Sequence, residues 1–314
     1  MRTGAPVVSA TIVVLSRSEP ERLGRLIARV AEQDMLPERV LVIWNGAAPY
    51  VFAAAAPFAV DVLTIRPEEF GHGRTRNLGL AQTRSDVLVL VSDDAWPADT
   101  AWLRHLAGPI LDDARVAAAY SRQVAGADAA PAERAFRQAR YPADDLELAL
   151  GPDRVVDLAR TPLSNASAAY RVEALRAAGG FDEALGSSED LAAALALLDA
   201  GHRVRYAARS VVEHAHGYPW LEQVRRTYDS ASSLRDIEAR YRVRPAPGGS
   251  GSLRLGLGML AGALGHGAFG RTFSDVTARA LGVALARARG WLPHGVHGRI
   301  TRQRWALNTT TDTR

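Results

Sequence analysis

Four short apolar runs alternate with helical stretches in the N-terminal part of the chain, and no other feature restricts the fold as much. The runs are Ala10–Leu15 (ATIVVL), Arg39–Trp44 (RVLVIW), Val60–Ile65 (VDVLTI) and Asp86–Val91 (DVLVLV). An unbroken apolar run suits a strand buried on both faces. Ser18, Pro20 and Glu21 have the pattern of a capped helix start, and that helix is expected to reach about Gln33. Thr75–Thr83 and Asp99–Leu111 also read as helices. The alternation predicts a mostly parallel α/β sheet with helices on both faces.

From Ser121 to Arg160 the pattern fades, apart from a short helix near Glu133–Arg140. An ordered block follows. Asn165–Tyr170 precedes a helix over Val172–Ala178, stopped by Gly179-Gly180. Ser187-Ser188-Glu189-Asp190 opens another helix, ended by Gly201. Arg203–Ala207 and Ser210–His216 read as two strands, and Tyr218–Tyr241 as a long helix. Pro245–Ser252 (PAPGGSGS) has linker composition. The division expected is a domain over 1–244, a linker over 245–252 and a helical appendage over 253–314.

The hydrophobic share of 47% is enough for a sizeable core. No stretch reaches the ~18 uncharged apolar residues of a membrane span, and Val7–Leu15 lacks the order of a secretory signal, so a cytoplasmic location is expected. The absence of cysteine excludes disulfides and thiolate zinc sites. The formal charge is +4, and the basic excess gathers in Arg271, Arg279, Arg287, Arg289, Arg299, Arg302 and Arg304. With Leu281, Val283, Leu285 and Trp291 interspersed, these arginines suit peripheral contact at an anionic membrane surface. The alternatives are a solvated face, packing on the main domain or a homodimer contact. No nucleic acid partner is expected.

In an open parallel sheet, ligands bind beyond the carboxyl ends of the strands. Asp93 and Asp94 follow the fourth run, so they fall on that rim and suit Mg²⁺ or Mn²⁺, unless they merely cap a turn. His214 and His216 are two apart on an expected strand, so both rings face one side, as metal ligands or as satisfied structural histidines. Glu189 and Asp190 begin a helix. Either Ser187 and Asp190 close a capping box there, or one of the acids is a general base toward a hydroxyl. Gly71–Asn77 precedes a helix and offers Arg74 and Arg76 to phosphate, but it is neither a dinucleotide fingerprint nor a P-loop.

Taken in order, these segments resemble the inverting family-2 glycosyltransferases, and within them the rhamnosyltransferase-like branch. Phe70–Gly79 (FGHGRTRNLG) is similar to that branch's Phe-Asn-His-Gly-x-Thr-Arg-Asn-x-Gly, and Ser92–Pro97 (SDDAWP) to its Thr-Gln-Asp-Ala-x-Pro. Ala118–Gln123 (AAYSRQ), Asn165–Phe181, Glu189-Asp190 and His214–Tyr218 (HAHGY) follow in the family's sequence. The resemblance implies a GT-A type domain, single displacement with inversion, and a nucleoside-diphosphate sugar as donor, possibly of rhamnose. The acceptor it implies is a hydroxyl of a glycan or lipid-linked saccharide. It further implies Asp94 as metal ligand with His214 or His216, and Asp190, or failing that Glu189, as the base. Arg76, Asn77, Asn45 and Asp93 are implied at the nucleotide. Asn45 stands where relatives often have aspartate, and Ala192 and Ala196 stand where they often have aspartate and arginine. Those alanines keep a non-catalytic nucleotide-sugar binder in view. A metal hydrolase built on Asp93, Asp94 and the histidines is the other alternative.

Overall fold

The computed structural model describes residues 5–17, 20–46, 56–156, 163–185, 187–214, 216–245, 251–264 and 269–301. In chain order the elements begin β1 (Val7–Ser16), α1 (Pro20–Ala31), β2 (Leu36–Trp44), β3 (Ala59–Thr64), α2 (His72–Gln82), β4 (Val87–Ser92) and β5 (Trp96–Pro97). Next come α3 (Trp102–Asp112), β6 (Val116–Val124), α4 (Pro131–Arg140), β7 (Leu146–Leu148), β8 (Val155–Val156) and β9 (Ser167–Arg171). After these follow α5 (Val172–Ala177), α6 (Glu189–Asp199), β10 (Arg203–Glu213), α7 (Trp220–Tyr241) and β11 (Arg244–Pro245). Helices α8 (Gly251–Leu264), α9 (Phe269–Arg287) and α10 (His294–Ile300) complete the described chain.

The sheet runs in the order β3-β2-β1-β4-β9-β6-β10-β5, with β7 beside β10. Strands β3, β2, β1 and β4 are parallel, as the apolar runs predicted. β9 is antiparallel to both neighbours, β4 and β6. Alternation along the strands fills two cores. Val13, Leu41, Ile43, Leu88 and Leu90 face α2, α5 and α6, through Leu80, Leu175 and Leu195. Ile12, Val14, Val40, Val42 and Val89 face α1 and α3, through Leu23, Leu26, Trp102 and Leu106. Truncating one of these side chains to alanine costs about 2–5 kcal/mol.

Four expectations change. The two strands expected between Arg203 and His216 are one, β10, which shifts register against β6 between Ala207 and Val211 and stops at Glu213. Helix α2 begins at His72, so the motif expected before a helix forms its first turns. The capping box at Ser187 does not form: the cap is Ser188, in the left-handed region at φ 64°, and Ser187 bonds Ser233 instead. Pro245 pairs with Val156 and Ser252 lies inside α8, so both leave the expected linker. The Ser18 cap lies outside the described residues.

The C-terminal helices lie against the main domain, α8 on α4 and α9 along α7. Gly282 of α9 lets the two backbones approach closely: a Cβ there would stand 2.7 Å from Thr227 Cβ and from the Val224 carbonyl oxygen. Among the described residues no helix is long and apolar enough to cross a membrane.

Candidate active site

The carboxyl ends of β1, β2 and β4 form one rim. Asn45 donates its backbone N–H to the Ser16 carbonyl at 2.9 Å, and Ser16 Oγ donates to Asp93 Oδ2 at 2.6 Å. Burial raises the Asp93 carboxyl above its ordinary range; the Ser16 bond opposes this, and neighbouring Asp94 adds to it. Asn45 is buried, and its Oδ1 has no hydrogen-bond partner within the described chain. A buried acceptor left unpaired is costly, so this oxygen suits a ligand's N–H.

Strand pairing brings the second cluster together. The two-residue strand β5, just after Asp94, pairs antiparallel with the end of β10, Trp96 opposite Glu213. The His214 N–H then continues the ladder to Val124 O at 2.9 Å. Asp94, His214 and His216 consequently meet, with one ligand atom from each inside a 4.8 Å span. His214 Nε2 lies 3.5 Å from Asp94 Oδ1, and His216 Nε2 lies 3.4 Å from Oδ2. The rings do share a side, although not by strand alternation: both residues follow the strand, and their rings meet edge to face. Burial holds His214 well below the usual imidazole range and lowers His216 too. The two Nε2 atoms are 2.7 Å apart, a separation that facing lone pairs tolerate only with a proton or cation between them. One carboxylate and two largely neutral imidazoles therefore fit a divalent metal, and the nitrogen donors favour Mn²⁺ over Mg²⁺.

The third cluster sits where β9 meets the same rim. Ser92 N–H donates to Ala166 O at 3.2 Å, and the adjacent Asn165 N–H donates to Asp190 Oδ2 at 3.1 Å. Leu191 N–H donates to Asp190 Oδ1 at 2.8 Å. Glu189 is buried and ion-paired to Arg76 at 2.8 Å. Burial alone would raise the Glu189 carboxyl, but Arg76 and His72 overcome it and hold it below its usual range. Asp190 keeps partial solvent access. Its carboxyl is pushed up to about 7, by burial first and by the Glu189 charge second. Of the two acids, Asp190 has the accessibility and the proton affinity of a base working near neutrality.

Two expected nucleotide contacts are engaged elsewhere. Asn77 Nδ2 donates to Phe181 O and Glu183 Oε1, each at 2.8 Å, and its Oδ1 accepts from Phe181 N–H at 2.8 Å. Both ends of the amide thus latch α2 to the turn after Gly180. Arg76 likewise turns Nη1 to Glu189 and to the His72 carbonyl at 3.0 Å, while its buried Nε has no hydrogen-bond partner within the described chain. Ala192 is buried in the core, on the sheet-facing side of α6. Sequence reasoning gave no role to Gln123, Glu133 and Arg137, although Glu133 and Arg137 stand at helical i,i+4 spacing. Arg137 Nε donates to Glu133 Oε1 at 2.8 Å, and Gln123 Oε1 lies 2.9 Å from His214 Nδ1.

Residues 11–175 match the model of glycosyl transferase family 2. The chain is 27% identical over 222 residues to the O-antigen chain rhamnosyltransferase RfbN of Salmonella typhimurium, covering 70% of each. It is 28% identical over 200 residues to the O-antigen chain rhamnosyltransferase WbaN of Salmonella anatum, covering 63% of each. Among solved structures it resembles a Pyrobaculum calidifontis mannosyltransferase in complex with GDP-Man and Mn²⁺ (TM-score 0.54, 18% identity, 96% of this chain and 86% of that one). It also resembles S. aureus TarS 1-349 (TM-score 0.53, 16% identity, 89% and 87%). The fold is of the GT-A type. Sugar transfer is supported over the hydrolase and the non-catalytic binder.

Proposed function

The chain belongs to glycosyl transferase family 2, and from that premise we propose a metal-dependent, inverting transfer of a hexose, rhamnose by resemblance to its relatives. The donor is a nucleoside-diphosphate sugar, and the acceptor is a hydroxyl of a glycan or lipid-linked saccharide. The observation that carries the reading is the meeting of Asp94, His214 and His216 on the rim that also bears Asp190.

Asp94, His214 and His216 would hold Mn²⁺, which when bound neutralises the charge of the leaving diphosphate. Asn45 Oδ1 accepts the imide N–H of the nucleobase. Asp93, held by Ser16, borders the ribose. Asp190 Oδ takes the proton of the attacking hydroxyl while that oxygen bonds the anomeric carbon from the face opposite the diphosphate. The C–O bond to the diphosphate breaks, and the configuration inverts. Arg76 neutralises Glu189 so that a second carboxylate can stay beside the base. The exposed Phe269, Phe273 and Trp291, together with exposed Arg271 and Arg287, suit docking on an anionic lipid surface.

A thermal-shift screen of dTDP, UDP and GDP, each with and without Mn²⁺, tests the reading. One nucleotide should raise the melting temperature only when Mn²⁺ is present. Equal shifts without metal, or none, would overturn it.

A further inference from the structure

We infer that helix α9 belongs to the metal centre's support: Arg279, through Glu133, Arg137 and Gln123, keeps the His214 proton on Nδ1, so that the Nε2 facing Asp94 presents a lone pair. The inference rests on the metal reading above. A glutamine amide can present either its oxygen or its nitrogen to a neighbour. If Gln123 turned its NH₂ to His214, Nδ1 would have to accept, the ring proton would sit on Nε2, and that nitrogen could not ligate. Arg137 decides the orientation. A guanidinium only donates, and its Nη1 bonds the same Gln123 Oε1 that lies 2.9 Å from His214 Nδ1. Gln123 must therefore accept from both neighbours, His214 Nδ1 must donate, and the Nε2 lone pair is left facing Asp94.

Arg137 is in turn held by Glu133, with Nε and Nη2 each 2.8 Å from Oε1, and both side chains are about nine-tenths buried. The second Glu133 oxygen faces Arg279 of α9 at 3.9 Å. Arg279 lies 4.0 Å over the Phe136 ring and is tied to Asp275 at 2.7 Å. The same helix reaches the site directly, because Arg271, Ser274 and Asp275 line a cavity of about 220 Å³ together with His216 and Glu133. Buried ion pairs seldom repay their desolvation as stability. A chain of them ending on a metal-ligating imidazole has the form of an outer shell that sets ligand orientation.

The test uses the full chain. ¹⁵N-edited NMR of the imidazoles in the metal-free wild type should find His214 protonated on Nδ1. Mn²⁺ affinity, measured by electron paramagnetic resonance, should fall roughly 10- to 100-fold in Arg137→Met and less in Arg279→Met, with part restored in Arg137→Lys. Circular dichroism checks each fold. Arg279→Met is the partly exposed control should Arg137→Met fail to fold. His214 protonated on Nε2 in the wild type overturns the inference, as does unchanged Mn²⁺ affinity in either folded variant, Arg279→Met or Arg137→Met. A wild type that binds no Mn²⁺ but shows the Nδ1 tautomer overturns the metal reading instead.

Discussion

Replacing Asp190 with asparagine separates a catalytic base from a structural carboxylate that only holds the Asn165 and Leu191 N–H groups. The folded protein holds the Asp190 proton up to about 7, whereas the ordinary carboxyl value is 3.8. Between those values the folded chain binds more protons than the unfolded chain, so the wild type loses stability as pH rises through the window. At 1.36 kcal/mol per unit the full shift bounds this loss at about 4 kcal/mol. Asp190 retains some solvent contact and shares its surroundings with the Glu189–Arg76 pair, so about 2 kcal/mol is the working figure. Asp190→Asn removes the titration. Its stability relative to wild type should therefore improve by about 2 kcal/mol between pH 4.5 and pH 8. Comparing the two pH values cancels any constant cost from altered bonds to Asn165 and Leu191. In the same variant, turnover should fall roughly 10²- to 10⁴-fold with donor binding kept, and wild-type turnover should decline as pH drops through about 7. Urea unfolding at the two pH values, with rates measured in parallel, decides the matter. Near-normal turnover, or a stability gap that does not change with pH, refutes the assignment.

Arg76→Met leaves Glu189 buried without its partner, and chemical denaturation should show a loss of about 3–5 kcal/mol; a loss under about 1 kcal/mol contradicts the pairing. Gly73→Ala places a Cβ 2.4 Å from the Asp182 carbonyl oxygen, so α2 must move off the 181–183 turn, costing about 1–3 kcal/mol in the same assay. Phe269→Ser with Phe273→Ser should abolish co-sedimentation with anionic vesicles at low salt; a wild type left in the supernatant removes the membrane reading.

The strands were legible because burial on both faces leaves an unbroken apolar signature, as in Val87–Val91. Strand β9 carries the mixed sequence SAAYR, and its antiparallel insertion depends on neighbours far along the chain. The candidate site residues stand in motifs, but several of their contacts are not written locally. Asn77 looks like a ligand-binding residue beside two arginines, and its actual partner, Phe181, lies 104 positions away. His214 and His216 were expected to align through strand alternation, whereas it is the β5–β10 pairing that carries them to Asp94. Gln123 lay inside a recognised motif, yet nothing local says that its amide faces an arginine from α4. Such roles depend on which elements pack together, and pairwise spacing along the chain does not encode that.

In the proposed function, Asp94, His214 and His216 hold the metal on which transfer depends. The most direct measurement is the initial rate of sugar transfer as a function of Mn²⁺, for wild type and for Asp94→Ala, with the fold of each checked by circular dichroism. The wild-type rate should rise saturably with Mn²⁺, and the folded variant should show no metal-dependent rate. A folded Asp94→Ala that keeps a wild-type response to Mn²⁺ contradicts it.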